Sequence, residues 1–111
     1  MEGTHCYNAD TCQRDGLTPP ATDYGRDLGC TVIGGYVYRG AAYDFLRGAY
    51  LFADYCSGNL FALDAGASGY APPTPVGSGG NGIAALGRDA SGELYVLNLD
   101  GTISRVVATQ R

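Results

Sequence analysis

The sequence predicts an all-β fold, assembled from short antiparallel strands and held in part by disulfide bonds. Short runs rich in Val, Ile, Tyr and Phe recur along the chain and are bounded by Gly-containing turns, which is the pattern of strands and hairpins. The 111 residues include 18 Gly and 9 Tyr but no Trp, and this composition favours strands and tight turns over helices. Four cysteines stand where they can cross-link the predicted strands and loops.

The first set of strands lies between Cys30 and Asp64. It consists of TVIGGYVY (31–38), AYLFADY (49–55) and NLFALD (59–64), with a turn at Cys56-Ser57-Gly58. Directly opposed residues of antiparallel strands bring their Cβ atoms to roughly the 4 Å that a disulfide needs. We therefore expect Cys30 to face Cys56. That register sets two further pairs, Tyr36 with Tyr50 and Tyr38 with Gly48.

The four cysteines allow three pairings, of which we favour Cys6–Cys12, closing a small loop, together with Cys30–Cys56. A zinc site is the rival interpretation, but the chain has no C-x-x-C pair and His5 is its only histidine. Disulfides predict an oxidising compartment. The chain nevertheless opens without a signal peptide, which we expect if it is cut from a longer protein.

Residues 1–29 have neither helical nor strand periodicity and are rich in Asn, Asp, Gly, Pro and Thr. They predict a long ordered loop, stapled by the first disulfide. Carboxylate and amide oxygens are calcium ligands, so Asn8, Asp10 and Asp15 are candidates for a calcium site. Their spacing does not fit an EF-hand loop, and turn-forming Asx residues are the favoured interpretation.

A surface connection rich in Gly, Pro and Ser spans residues 65–82 and contains TPVGS, a short edge strand in which Pro is tolerated. A second set of strands follows, and it consists of IAALGRD, ELYVLNL and TISRVV. The Asp100-Gly101 turn in this set is the strongest short hairpin signal in the chain. The last residues, ATQR, are expected to fray.

The two strand sets repeat each other. The segment after Gly48 corresponds to the segment after Gly92, an offset of 44 residues, and the hairpin glycines Gly58 and Gly101 are 43 residues apart. A unit of three strands at this spacing falls within the range of β-propeller blades, about 40–50 residues. Chance similarity between hairpins is the alternative. We predict about two four-stranded antiparallel blades, of which the second lacks its fourth strand.

This interpretation divides the chain into a disulfide-stapled loop region (1–29), a first blade with its connection (30–82) and a second, incomplete blade (83–111). A propeller needs about four to eight blades to close its ring, so two blades leave apolar side faces open. We expect the chain either to belong to a longer protein or to assemble with copies of itself. Three copies would supply six blades, as a closed homotrimer.

Four motifs together resemble the last part of the glucose/sorbosone dehydrogenase family. They are MEGTHCYN, GCTVIGGYVYRG, YLFADYCSGNLFALD and GRDASGELYVLNLDGTISRV. The resemblance covers nearly the whole chain from Met1, which matches the methionine of the family's W-x-x-M-E-G motif. It implies the last two blades of a six-bladed propeller. The family includes aldose dehydrogenases that use pyrroloquinoline quinone (PQQ), and the related propellers of Hedgehog-interacting proteins act by binding.

The resemblance carries one site residue over to this chain. Arg39 occupies the basic position at the end of the Y-V-Y strand, where family members present Lys or Arg to the cofactor's carboxylates, and a guanidinium suits such groups. The alternative is a loop arginine paired with Asp44 or Asp54. The catalytic histidine of the family comes from an early blade, which this chain does not contain.

Other positions depart from the family pattern or are expected to be structural. His5 lies in a different motif, and we expect it to hydrogen-bond within the stapled loop. The turn Cys56-Ser57-Gly58 has no cation where cofactor-binding members can carry one, and Arg26 stands where members have histidine.

We therefore expect a C-terminal fragment of a PQQ-dependent aldose dehydrogenase-like propeller that is inactive alone, located in the periplasm or outside the cell, with a sugar as candidate ligand. The alternative is a non-catalytic propeller module that binds a protein or glycan, which the nine Tyr also favour. The net charge of −4 argues against nucleic acid as a partner. No run approaches the length of a membrane span.

Overall fold

A computed structural model describes residues 3–109 of the chain, and within them it contains seven strands and one 3₁₀ helix. The strands are β1 (Val32–Val37), β2 (Ala49–Asp54), β3 (Asn59–Asp64), β4 (Thr74–Ser78), β5 (Ile83–Arg88), β6 (Leu94–Asn98) and β7 (Ile103–Arg105). The helix, Asp44–Leu46, is three residues long. Met1 and Glu2, which belong to the family motif, and residues 110–111, which belong to the ATQR segment that is expected to fray, lie outside the described residues.

The strands form two antiparallel sheets, with the orders β1-β2-β3-β4 and β5-β6-β7. The all-β prediction is therefore confirmed. TPVGS does form an edge strand, β4, at the margin of the first sheet. Among the described residues the second sheet has three strands, as the sequence predicts.

The register of the first hairpin differs from the predicted one beyond its first residues. Val32 faces Asp54 as predicted, but the register then shifts, and Tyr36 faces Leu51. The predicted pair of Tyr36 with Tyr50 is therefore wrong. The backbone carbonyl oxygen of Tyr38 accepts a hydrogen bond from the backbone N–H of Gly48 at the loop mouth, at 3.0 Å.

Two adjacent glycines, Gly34 and Gly35, lie within this irregularity of β1. A Cβ added to Gly35 would overlap the carbonyl oxygen of Leu51 and come within 2.6 Å of Leu86 Cδ1 on the second sheet. Glycine therefore allows β1 to pass close to both β2 and the opposite sheet. The bulge moves every later residue of β1 by one position relative to β2.

The core lies between the two sheets, which meet along β1 and β5. Buried apolar side chains from both sheets form two clusters, one of Ala53, Ile83, Leu86 and Val96 and one of Tyr38, Leu51 and Leu94. The guanidinium of Arg88 on β5 lies over the ring of Tyr36 on β1, 5.2 Å from its centroid.

The other face of the first sheet is covered by the N-terminal loop. The ring of Tyr24 stacks on Phe61 at a centroid distance of 4.9 Å, and Phe61 stacks on Phe52 at 5.0 Å. Tyr50 extends this stack, 5.7 Å from Phe52. The long loop thus has a packed aromatic anchor in addition to its disulfide.

Both predicted disulfides are present, Cys6–Cys12 and Cys30–Cys56, each with a Cα–Cα distance of 5.6 Å. That distance is typical of disulfides, and two such bridges are typical of proteins from oxidising compartments. Asp44–Leu46 is too short to cross a bilayer, and no other helix occurs between residues 3 and 109.

The two glycines of the bulge should respond differently to the same substitution. Gly35→Ala should lower the free energy of unfolding by about 1–3 kcal/mol, because the new methyl group overpacks against Leu51 and Leu86. Gly34→Ala is the matched control, since its Cβ would meet Tyr50 Oη at an ordinary 3.6 Å, and it should change stability by less than about 0.5 kcal/mol. Urea unfolding of both variants measures the difference, and equal effects would contradict the close approach at Gly35.

Candidate functional site

Arg39 is the second residue after β1 and is exposed to solvent. Neither of the two alternative partners expected from the sequence, Asp44 and Asp54, forms an ion pair with Arg39. Asp44 lies 3.8 Å from Arg47, and Asp54 is fully buried with other partners. The Arg39 guanidinium makes no hydrogen bond or ion pair with another residue between 3 and 109, so it can accept an anionic ligand.

The loop that carries Arg39 is held by the buried carboxylate of Glu93, which belongs to the second sheet's first turn. Glu93 Oε1 accepts a hydrogen bond from the Tyr38 hydroxyl at 2.8 Å, and its Oε2 accepts one from the backbone N–H of Ala42 at 3.3 Å. Arg105 lies 3.9 Å from Glu93. The backbone on both sides of Arg39 is therefore fixed across the sheet boundary.

Close packing at two glycines fixes the same loop further. A Cβ on Gly92 would lie 3.0 Å from the carbonyl carbon of Arg39, and a Cβ on Gly40 would overlap the Glu93 carboxylate. Arg47 donates from Nε to the carbonyl oxygen of Gly40 at 2.9 Å. The backbone around Arg39 is therefore held in place, while its guanidinium is exposed and not engaged by other residues between 3 and 109.

Tyr38, whose hydroxyl bonds to Glu93, is only 1% exposed. Burial raises the pKa of this hydroxyl above its ordinary value of 10.0, and its hydrogen bond to Glu93 raises the pKa further. Tyr38 is therefore a hydrogen-bond donor at physiological pH and not a general base. Its role is to connect β1 to Glu93.

A second buried carboxylate, Asp54 at the end of β2, ties together the opposite end of β1. Its oxygens accept hydrogen bonds from the hydroxyl of Tyr24 at 2.8 Å and from the backbone N–H groups of Thr31 at 2.9 Å, Cys56 at 2.8 Å and Ser57 at 3.0 Å. Burial alone would raise the pKa of Asp54, but these hydrogen bonds outweigh it and lower the pKa from 3.8 to about 2. In turn, burial and the Asp54 carboxylate raise the pKa of the Tyr24 hydroxyl.

The second sheet has a polar residue in the equivalent place. Asn98 is 44 residues after Asp54, and its Nδ2 donates to the carbonyl oxygens of Gly79 at 3.1 Å and Asn81 at 2.9 Å. Each middle strand therefore ends in a side chain that holds the segment before the first strand of its own sheet. The sequence suggests Asp54 only as an alternative partner for Arg39 and does not single out Asn98, although the 44-residue offset aligns them.

His5 does not make the hydrogen bonds expected of it. It is exposed, and its ring has no hydrogen-bond partner among residues 3–109. It instead lines a groove of about 810 Å³ between the N-terminal loop and the first sheet. Arg26 lies in the same groove, whereas Arg39 is not part of its lining.

The structure does not assemble a metal centre from the candidate ligands. Asn8 has a positive φ of 52°, which is typical of a turn-forming Asx residue, and neither Asp10 nor Asp15 belongs to a cluster of metal-ligating groups within the described part of the chain. Cys30, Asp54 and Cys56 do lie close together. However, the two sulfurs bond to each other and the carboxylate is occupied by its four donors.

No family model matches the chain, and no solved structure matches it.

Asp54 should make the protein sensitive to acid. Because its pKa is lowered in the folded state, its stabilisation is fully present above about pH 4 and is lost as the pH falls through about 2. A change from 3.8 to about 2 corresponds to about 2 kcal/mol. Asp54→Asn should therefore lower the free energy of unfolding at pH 7 by about 2 kcal/mol or more and flatten its decline between pH 4 and 2.

The matched control for this measurement is Asp64→Asn, which changes an exposed carboxylate at the end of β3. It should alter stability by less than about 0.5 kcal/mol. Urea unfolding at a series of pH values measures all three proteins. An unchanged acid limb in Asp54→Asn would show that other carboxylates govern the acid response.

Proposed function

We propose that the chain supplies two neighbouring blades to a β-propeller of the glucose/sorbosone dehydrogenase type, and that it contributes a cofactor-binding arginine but no catalytic base. The observation that carries this proposal is the packing of the two sheets. Their contact is head to tail, as between successive blades, and it leaves one sheet face open. The two disulfides fit a periplasmic or extracellular location for such a protein.

Each sheet has two faces, which the 44-residue repeat makes equivalent. We call the face that carries Leu51 and Ala53 in the first sheet the leading face, and its equivalent in the second sheet carries Tyr95 and Leu97. The opposite, trailing face carries Tyr50 and Phe52 in the first sheet and Leu94 and Val96 in the second. The core clusters join the leading face of the first sheet to the trailing face of the second. Such a contact between unlike faces can be repeated, and it closes into a ring if the rotation allows.

The leading face of the second sheet is the one left open. Tyr95 and Leu97 are half-buried, and Ile103, which pairs with Leu97, is 68% exposed. A trailing face of another unit would cover these side chains. The ring is then completed by further blades of a longer chain, or by copies of this chain, three of which give six blades. In a ring of copies the N-terminal loop, which packs on the trailing face of the first sheet through Tyr24, would lie within each contact between chains.

Arg39 is the group through which the chain would hold PQQ, because its free guanidinium can bind a carboxylate in a bidentate manner. When bound, the quinone supplies the acceptor for a sugar's hydride. The proton of the sugar hydroxyl needs a base within hydrogen-bond reach. His5 lies in a groove whose lining does not include Arg39, so it is not placed to act as that base, and the proposal takes the base from another blade of the completed ring.

The alternative function is a non-catalytic module that binds a protein or glycan. The groove between the N-terminal loop and the first sheet favours it, because aromatic and polar side chains line that groove together. Undetectable PQQ binding by a completed ring would support this alternative over the first.

Assembly through the open face can be tested by light scattering on the non-reduced protein. A closed trimer has three times the 11.5 kDa mass of the chain, and Ile103→Asp should reduce it to a monomer by placing a charge in the contact. Leu17→Asp, at a 53% exposed position of the N-terminal loop, is the matched control and should leave the mass unchanged. A folded wild-type monomer would rule out the trimer and leave further blades of a longer chain.

The role of Arg39 can be tested by titration with PQQ, followed by fluorescence quenching. Arg39→Gln should weaken binding by about tenfold or more, since a charge-assisted hydrogen bond contributes about 1.5–3 kcal/mol, whereas Arg26→Gln should leave it unchanged. With PQQ, an aldose and an electron-acceptor dye, the chain alone should show no turnover. Turnover, or equal PQQ affinity in the two variants, would contradict the proposal.

A further inference from the structure

The groove between the N-terminal loop and the first sheet has the size of a small-molecule site. Its volume of about 810 Å³ falls within the range of about 300–1,000 Å³ that ligand pockets occupy. Rings and polar groups line it together, among them Tyr24, Phe52, Tyr70, His5, Asp23 and Arg26. The chemistry of these side chains indicates which class of ligand it would take.

The carboxylate in the groove is already occupied. Asp23 accepts hydrogen bonds from the backbone N–H of Thr4 at 2.6 Å, from the Thr4 hydroxyl at 2.7 Å and from the Tyr70 hydroxyl at 2.9 Å. The Thr4 hydroxyl is the main cause that lowers the pKa of Asp23 below 3.8. Asp23 is thus an ionised group that joins the walls of the groove, and its oxygens are not free to hold a cation.

The wall formed by Tyr70 is fixed at two points. The hydroxyl of Tyr70 binds Asp23, and the backbone N–H of the next residue, Ala71, donates to the carbonyl oxygen of Ala21 at 2.8 Å. The Tyr70 ring remains 51% exposed. It therefore offers apolar surface that is held in place beside the groove.

Arg26 is the arginine in the groove that is free to bind, and the ring of His5, unpartnered within residues 3–109, lines the same groove. The Arg26 side chain is exposed and makes no hydrogen bond or ion pair with another residue of the described range 3–109. A guanidinium has five donors and no acceptor, and its fork matches a carboxylate. In the same wall, Thr22 Oγ1 is buried without a hydrogen-bond partner among the described residues.

The charge of the ligand follows from the surroundings. The chain has a net charge of −4 and Asp23 lies in the groove, so a multiply charged anion is disfavoured. One negative charge is matched by Arg26. Tyr70 and Phe52, which both line the groove, suit an apolar body beside that charge.

We propose that this groove binds a small organic monocarboxylate, whose carboxylate is held by Arg26 and whose apolar or aromatic body lies against Tyr70. This site is distinct from the one proposed around Arg39. It requires neither PQQ nor completion of a ring, so the two proposals can fail separately.

The test uses phenylacetate as the probe and phenylacetamide as its neutral counterpart, each titrated into ¹⁵N-labelled protein and followed by NMR. Phenylacetate should give saturable shifts of backbone amides that line the groove, including those of Gly25 and Gly29. Phenylacetamide should bind about tenfold more weakly, because the charge-assisted bond to Arg26 is lost. Equal affinity for the two probes, or no saturation by phenylacetate up to about 20 mM, a concentration that corresponds to about 2–3 kcal/mol of affinity, would overturn the proposal.

Two arginine variants locate the site. Arg26→Gln should weaken phenylacetate binding by about tenfold or more while preserving the NMR spectrum of the fold, because Arg26 has no partner in the described range. Arg39→Gln, an equally exposed arginine, should leave the affinity unchanged. Tyr70→Ala should weaken binding of both probes, whereas Tyr70→Phe keeps the ring and should retain it. Loss of binding in Arg39→Gln but not in Arg26→Gln would place the carboxylate elsewhere and overturn the proposal.

Discussion

The buried carboxylate of Asp54 is the constraint on which the architecture of the first sheet depends. An ionised carboxylate is costly to bury unless hydrogen bonds replace its hydration. Its four donors come from three separate segments: the N-terminal loop, the start of β1 and the turn after β2. These segments must therefore be in place together. The Cys30–Cys56 bridge acts at the same junction by a different mechanism, because it restricts the unfolded chain over a separation of 26 residues.

β1 is held in the same way at both of its ends. Asp54 binds the backbone just before the strand, and Glu93 binds the Tyr38 hydroxyl just after it. A glycine lies against each carboxylate, Gly29 beside Asp54 and Gly40 beside Glu93, where a Cβ would overlap the acid. Buried charge and glycine thus occur as pairs here, since only a residue without a side chain lets the backbone come close enough to surround a buried acid.

Most of the strands and both disulfides could be predicted from the sequence, because hydrophobic runs, turn glycines and cysteine spacing are local signals. The register beyond Ile33 could not, since the bulge depends on how closely Gly35 approaches Leu51 and a side chain of the other sheet. The same limit applied to the polar residues. In the sequence, Asp54 and Glu93 look like ordinary acidic residues beside turns. Their hydrogen-bond partners are distant in sequence: Tyr24 is 30 residues from Asp54, and Tyr38 is 55 residues from Glu93. The expectation that Arg39 binds a cofactor rests on family resemblance and not on any local pattern.

The buried acids and two of the exposed arginines differ in how far the rest of the structure engages them. Both buried acids are engaged by donors, and the pKa values of the Tyr38 and Tyr24 hydroxyls are raised by burial and further by their hydrogen bonds to those acids. None of these groups is free to take a proton from a substrate near neutral pH. Arg39 and Arg26, in contrast, are exposed and unengaged within the described range. Within residues 3–109 the two buried carboxylates therefore fix the backbone, whereas these two guanidinium groups stay available to anionic ligands, and both proposals above rest on that difference.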